Sequence, residues 1–531
     1  MNDQEKSDGR VVPRKPPNKP RRRRRSSSQG EPYAGTNAET QDTAKGDPTA
    51  AGHVDSAGAE VVEGRRPAKG NAGQQNAYRT QRRESAPSAL HRVREAASRD
   101  RKARFTALFH HITLDVLRSA FFSLEKSAAP GVDGVMWQQY AQGYEDKLKD
   151  LHDRLQRGAY RARPSRRVFI PKAEGRQRPL GIAALEDKVV QRAVVEVLSA
   201  IYEVDFLGFS YGFRPGRSQH DALDALHVGL TKRKVNWVLD ADIRGFFDAV
   251  DHEWMIKLVE HRIADKRLLR LIQKWLSAGV VEDGRRSPTE EGTPQGATVS
   301  PLLSNVYLHY VLDRWIDHWR NRYARGDVII VRYADDFVIG FQHRDDAERL
   351  KRALAARLQR FALELHPGKT RLIEFGRFAA RDRAARREGK PETFGFLGFT
   401  HICAKARSDG RFTVRRRTMQ DRQRRKLRAI KEELHRRRHQ SIPEQGKWLG
   451  AVVRGYFAYH AVPLNTPALE AFRREVVRHW LHALRRRSQR HRMPWTRMAR
   501  IARRWLPPVR VQHLWPLQRF LVITRGRSPV R

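Results

Sequence analysis

Two adjacent carboxylates, Asp335 and Asp336, stand between the apolar runs Val328-Ile329-Ile330-Val331 and Phe337-Val338-Ile339. Two β-branched runs so closely spaced predict a β-hairpin with the acids at its tip. Charge held between buried strands is costly unless something compensates it. A divalent cation does so, because Mg²⁺ takes hard oxygen ligands and keeps positions open for substrate phosphates. A solvated turn is the plainer reading of four residues alone, but a second acid follows another apolar run, Val238-Leu239-Asp240-Ala241-Asp242, just ahead of Phe246-Phe247. With Asp242 facing Asp335 from a neighbouring strand, two metals about 3.5–4 Å apart would activate a hydroxyl and stabilise in-line phosphoryl transfer. Between the acidic segments lies Gly292-Thr293-Pro294-Gln295-Gly296-Ala297, a punctuated loop opening an apolar helix that runs through Asn305. Such a loop lets a nucleotide approach the backbone closely.

As an ordered set, these three segments resemble motifs A, B and C of a reverse transcriptase. The likeness extends outward. Gly131-Val132-Asp133-Gly134, then Ile170-Pro171-Lys172 with Arg178-Pro179-Leu180-Gly181-Ile182, then Tyr211-Gly212-Phe213-Arg214-Pro215 resemble the fingers blocks of group II intron reverse transcriptases. Residues 365–370 and 394–399 resemble the closing palm blocks, and 450–459 the maturase thumb called domain X. The resemblance implies an α+β right-hand polymerase: fingers and palm in 86–405, an α-helical thumb in 406–465, a basic nucleic-acid-binding segment in 466–531. It implies Asp242, Asp335 and Asp336 as catalytic ligands of two Mg²⁺ ions, with Mn²⁺ as the alternative. Lys172 and Arg178 would clamp the incoming triphosphate, and Gln295 would border its pocket. Phe247 would pack under the sugar and exclude a 2′-hydroxyl, while Phe246 belongs to the core. Lys369 would serve the pyrophosphate leaving group. The family commonly has two glycines after Pro-Gln; here the second is Ala297, which bears on nucleotide preference.

Composition agrees with a polyanion partner. The 531 residues hold 105 Lys+Arg against 59 Asp+Glu, a formal charge of +46. Each basic side chain near a phosphate releases counterions. The expected partners are intron RNA as template, a DNA target or primer, and dNTPs; the sequence leaves the oligomeric state open. No apolar run is long enough to span a bilayer, which argues against a membrane partner. The single cysteine, Cys403, excludes an internal disulfide and reads as a structural thiol in a cytosolic protein; the resemblance implies a bacterial cytoplasm, with function at the nucleoid. One cysteine and the short stretch after 465 also leave no room for the HNH endonuclease that some family members append.

Residues 1–85, with an arginine run at 21–25, are too poor in large apolar residues to order themselves and predict a disordered basic tail. Phe105, Leu108, Phe109, Ile112, Val116 and Leu117 recur at helical spacing, as do Val189, Val190, Ala193, Val194, Val197, Leu198 and Ile201 in a helix over 185–201. Residues 411–439 read as a basic helical stretch, with Arg424, Arg425 and Lys426 as RNA contacts. Among Trp480, Trp495, Trp505, Trp515 and Phe520, several must build a core and one or two would stack on bases. The expected activity is RNA-directed DNA synthesis by a protein that binds its own intron RNA and assists splicing and mobility. The rival readings are a reverse transcriptase of this fold in phage defence or another retroelement, a splicing maturase without polymerase activity, and an RNA-dependent RNA polymerase.

Overall fold

The computed structural model describes residues 87–171, 177–288, 291–293, 296–406, 408–488 and 493–524, all within one unit spanning Pro67–Arg531. The expectations for the 1–85 tail, for Lys172 and for Gln295 lie outside the described residues. Strands and helices are mixed, as expected. β1 (Ser165–Pro171) and β2 (Gln177–Ile182) form an antiparallel ladder. After β3 (Trp237–Ala241), the short strands β4 (Val280–Glu282) and β5 (Arg285–Ser287) extend that first sheet to the order β2-β1-β4-β5. Only its β1–β4 contact is parallel. β6 (Val328–Tyr333), β7 (Asp336–Phe341) and β8 (Arg371–Glu374) join β3 in a fully antiparallel sheet, β6-β7-β3-β8. A third sheet, β11-β10-β9, contains β9 (Phe394–Phe396), β10 (Phe399–Lys405) and β11 (Phe412–Thr418).

The apolar runs of β3, β6 and β7 are continuous because both faces of their sheet are covered. Side chains alternate between the faces. Leu239, Ile330, Ile339 and Phe341 join one core with Leu350, Leu354 and Leu358 of the Arg344–Gln359 helix. Val238, Ile329, Val331 and Val338 join another with Ala222, Leu223 and Leu226 of the Gln219–Lys232 helix. The sheet is thus clamped between two helices.

The helix expected over 185–201 runs Leu185–Asp205, and all seven residues assigned to its apolar side are buried. The series from Phe105 is buried from Leu108 onward but is not one helix. Phe105 pairs with Ile263, a 3₁₀ turn follows at Phe109–His111, and Thr113 caps a new helix, Leu114–Ser123. Residues 411–439 also differ from expectation. β11 occupies their start and only Gln420–Arg436 is helical. The expected boundary at 405/406 therefore falls inside the β10–β11 hairpin, whose ladder runs from Phe399↔Thr418 to Lys405↔Phe412.

Four helices, Gln420–Arg436, Ile442–His460, Thr466–Arg485 and Trp495–Trp505, share a third core around the buried Trp480. The Trp480 indole donates to Gln445 Oε1 at 2.8 Å, the partner a buried indole needs. Phe520, on the Pro516–Thr524 helix, returns to the core beside Gln219–Lys232, while Trp495 and Trp515 stay exposed. No helix among the described residues is long and apolar enough to cross a membrane.

Candidate active site

The β6–β7 register pairs Tyr333 with Asp336, so Ala334 and Asp335 make a two-residue turn. Ala334 takes φ 56, and Asp335 is not among the positive-φ residues. A left-handed first position is one that hairpins normally give to glycine. A non-glycine residue holds it only where the surroundings over-determine it. Those surroundings are built on Arg332, which is fully buried, as is Asp313. The guanidinium donates to both Asp313 oxygens at 2.7 and 2.6 Å, to Asn305 Oδ1 at 3.0 Å, to Ser210 Oγ at 2.7 Å and to the Ala334 carbonyl at 2.9 Å. Asn305 in turn donates to the Gly212 carbonyl at 2.7 Å. Gly212 lies so close that a Cβ there would sit 2.3 Å from the Ala334 nitrogen. The fingers-like Tyr211-Gly212 segment, the start of the Ser300–Leu308 helix and the acidic turn are thus one assembly. Sequence reasoning passed over Arg332, Asp313 and Ser210. The signal was an arginine inside a buried strand, which demands a buried partner.

Asp242 arrives from the other side. Ala241 pairs with Phe337, so the antiparallel register carries Asp242 off the end of β3 beside Asp336. His366 N–H fixes the Asp242 carbonyl at 2.8 Å, and Lys369 Nζ donates to Asp242 Oδ2 at 2.7 Å. Asp336 is pushed up to about 7, first by burial, then by repulsion from Asp335 and Asp242, against the opposing pull of Arg422 and Lys369. The Asp336 residue nonetheless keeps solvent exposure at the start of β7. Asp240, one strand period before Asp242, is raised to about 6 by burial, held down by Arg371 at 3.5 Å and pushed up by Asp242. Asp240 and Arg422 are the contributors to the local field that the sequence reading left out.

The remaining expected residues fall around this centre. Phe246 is buried and packs in the core as assigned; Phe247 is half-buried in the short Phe246–Ala249 helix. Thr293 N–H donates to the Phe247 carbonyl at 2.7 Å, which ties the Gly/Pro loop to Phe247. At the loop's other end Gly296 takes φ 108, and a Cβ there would come 2.8 Å from the Gly181 carbonyl of β2. Ala297 is buried behind it. Arg178 is on β2, opposite Ile170. Arg424, Arg425 and Lys426 lie on Gln420–Arg436, the helix whose Arg422 reaches the field of Asp336. Among the described residues no group of three or more His, Cys, Asp or Glu side chains is placed so that it could hold a metal ion. The donor set nonetheless suits a hard divalent ion: three carboxylates on two adjoining strands repel one another, and Lys369 supplies the local positive charge at Asp242.

Residues 170–401 match the family described as reverse transcriptase (RNA-dependent DNA polymerase). The chain is similar to Protein YkfC of Escherichia coli (strain K12), 40% identical over 240 residues, 40% of this chain and 62% of that protein. It is similar to the group II intron-encoded protein LtrA of Lactococcus lactis subsp. cremoris, 35% identical over 242 residues, 44% of this chain and 39% of that one. An uncharacterized 91 kDa protein in the cob intron of Schizosaccharomyces pombe is 32% identical over 240 residues, 44% of this chain and 29% of its own. The matched stretch covers less than two thirds of each of these relatives.

Proposed function

We propose that this chain, whose residues 170–401 match the reverse transcriptase family, is an RNA-directed DNA polymerase of the group II intron kind that also binds its intron RNA and assists splicing and mobility. The observation that carries this reading is the meeting of Asp242, at the end of β3, with Asp335 and Asp336 at the β6–β7 tip. These three carboxylates would hold two Mg²⁺ or Mn²⁺ ions. Bound there, the ions supply activation of a primer 3′-hydroxyl and charge neutralisation at the transferred phosphoryl group.

The protein's own groups do the rest. Arg178 and Lys172 clamp the dNTP triphosphate, and Gln295 borders the nucleotide. Phe247 lies under the sugar and rejects a 2′-hydroxyl. Lys369 carries its ammonium from Asp242 to the departing pyrophosphate. The β2-β1-β4-β5 sheet belongs to the fingers and β6-β7-β3-β8 to the palm, together 86–405. The Gln420–Arg436 and Ile442–His460 helices belong to the thumb, and 466–531 adds nucleic-acid surface. The partners are intron RNA, a DNA primer at the target, and dNTPs, in a bacterial cytoplasm.

Asp335→Asn tests the reading, because it removes a charged ligand at nearly constant volume. Primer extension on an RNA template should fall at least about 10²–10³-fold, the scale of losing one electrostatic contact to a transition state. RNA retention on filters should be unchanged. Full-length cDNA at the wild-type rate would sink the assignment.

A further inference from the structure

A cavity of about 380 Å³ opens beside the Gln420–Arg436 helix, away from the catalytic acids. Gln420, Gln423, Arg424 and Leu427 form its wall on that helix, one face at i, i+3, i+4, i+7 spacing. None of Asp242, Asp335 and Asp336 lines the cavity.

β11 supplies the second wall. Its side chains alternate, so Arg415 and Arg417 turn out to the cavity while Arg416 turns in to Asp224 at 2.9 Å. The third wall is the start of the Thr466–Arg485 helix. Its N-cap, Asn465, makes no capping bond; the amide instead donates to Thr418 Oγ1 and the His460 carbonyl, both at 2.8 Å. Pro467 carries no N–H and the Ala468 and Leu469 amides donate to the Asn465 carbonyl, so that end offers its dipole rather than a row of free amides. Leu464, just before it, holds φ 68 with its side chain 38% exposed at the cavity. Leu464 is the third residue of a turn that Pro463 opens and the Asn465 N–H closes on the Val462 carbonyl at 3.2 Å, a place usually given to glycine. Three arginines line the cavity and no carboxylate does.

Guanidinium groups and exposed leucine within one cavity suit a ligand that is anionic at one end and flat and apolar at the other. A duplex backbone is too broad to enter. We propose that this cavity takes one unpaired nucleotide of a bound RNA strand, its phosphate on Arg415, Arg417 and the positive end of the helix dipole, its base against Leu464 and Leu427. The proposal rests on the reading of the chain as an RNA-binding polymerase only for the identity of the strand. It gives the protein a nucleic-acid site separate from the one that holds template and primer.

The full-length protein is titrated with fluorescent oligouridine of about ten nucleotides, with the abasic ribose-phosphate chain of equal length, and with oligothymidine. Leu464→Gly is the safe variant, because glycine prefers the left-handed backbone and the fold should be retained. Its affinity for oligouridine should fall about tenfold, to the level of the abasic chain, whose own affinity should not change. Arg415→Gln with Arg417→Gln should weaken both chains and reduce the salt slope by about 0.7, the value for one phosphate contact on a single strand. Primer extension on a short template–primer should keep its wild-type rate in both variants. That assay reports on the polymerase reading independently of the oligomer affinities. A Leu464→Gly protein that binds oligouridine like wild type overturns the base pocket. Primer extension falling in step with oligomer affinity overturns its separation from the cleft. A defect confined to oligothymidine overturns RNA as the strand.

Discussion

Phe247 is the residue proposed to govern sugar choice. It is half-buried, its carbonyl accepts from Thr293, and its neighbour Phe246 carries the packing. Phe247→Val should therefore open space without emptying the core, at a stability cost below the 3–5 kcal/mol of a fully buried Phe truncation. Ribonucleotide incorporation should rise relative to deoxynucleotide in single-nucleotide extension with dCTP and CTP. An unchanged ratio would make Phe247 a packing residue only. At this scale the sequence was legible where chemistry leaves a type signature. Adjacent acids between apolar runs could be found by eye, and Asp242 and Asp336 do adjoin. What could not be read was the support. That Arg332 binds Asp313 and holds the Ala334 carbonyl depends on a helix and a strand meeting in space. No spacing along the chain encodes that. Gly212 carries the same lesson, since its need for hydrogen in place of a methyl comes from Ala334, far along the sequence.

Among the elements, the β6–β7 hairpin and the Leu185–Asp205 helix follow from periodicity, since each has one unambiguous repeat. β11 was hidden in a basic stretch because three consecutive arginines, Arg415 to Arg417, carry no apolar alternation. The buried one of them is neutralised by Asp224 from another element, and charge partnership leaves no local trace. Opposite Arg416 in the ladder stands His401, fully buried and stacked on Phe394 at a centroid distance of 4.7 Å. Burial, then Arg416 and His227, lowers His401 to about 3 from the ordinary 6.5. Its folded pKa lies below its unfolded one, so the stability it permits is complete above pH 6.5 and is lost as pH falls toward 3. At pH 5 that loss is roughly 2 kcal/mol, at 1.36 kcal/mol per pH unit. His401→Phe keeps the stack and removes the titration. Urea midpoints measured at pH 8 and pH 5 should fall less for this variant than for wild type. Equal falls would mean that His401 does not titrate on unfolding.

For the molecule as a whole, charge is the dominant fact, and a formal +46 commits it to polyanions. RNA affinity should fall steeply with salt. Replacing Arg424, Arg425 and Lys426 together by Ala should lower the log–log slope by up to about three if each meets a phosphate. The slope is the readout because a folding defect lowers the active fraction without altering it; a wild-type slope would make this face of the helix merely solvated. The path of the chain was beyond sequence reasoning at this scale. Nothing in the spacing of Arg519 and Phe520 shows that they travel back to Gln219–Lys232, where Arg519 pairs with Asp224 across 295 residues. That return sets a timetable for synthesis. A ribosome adding about 5–20 residues per second needs roughly 15–60 s to pass from one partner to the other. Throughout that interval the newborn protein holds an unfilled berth beside Asp224. The wall begun by its earlier half is finished only when residues 519 and 520 emerge.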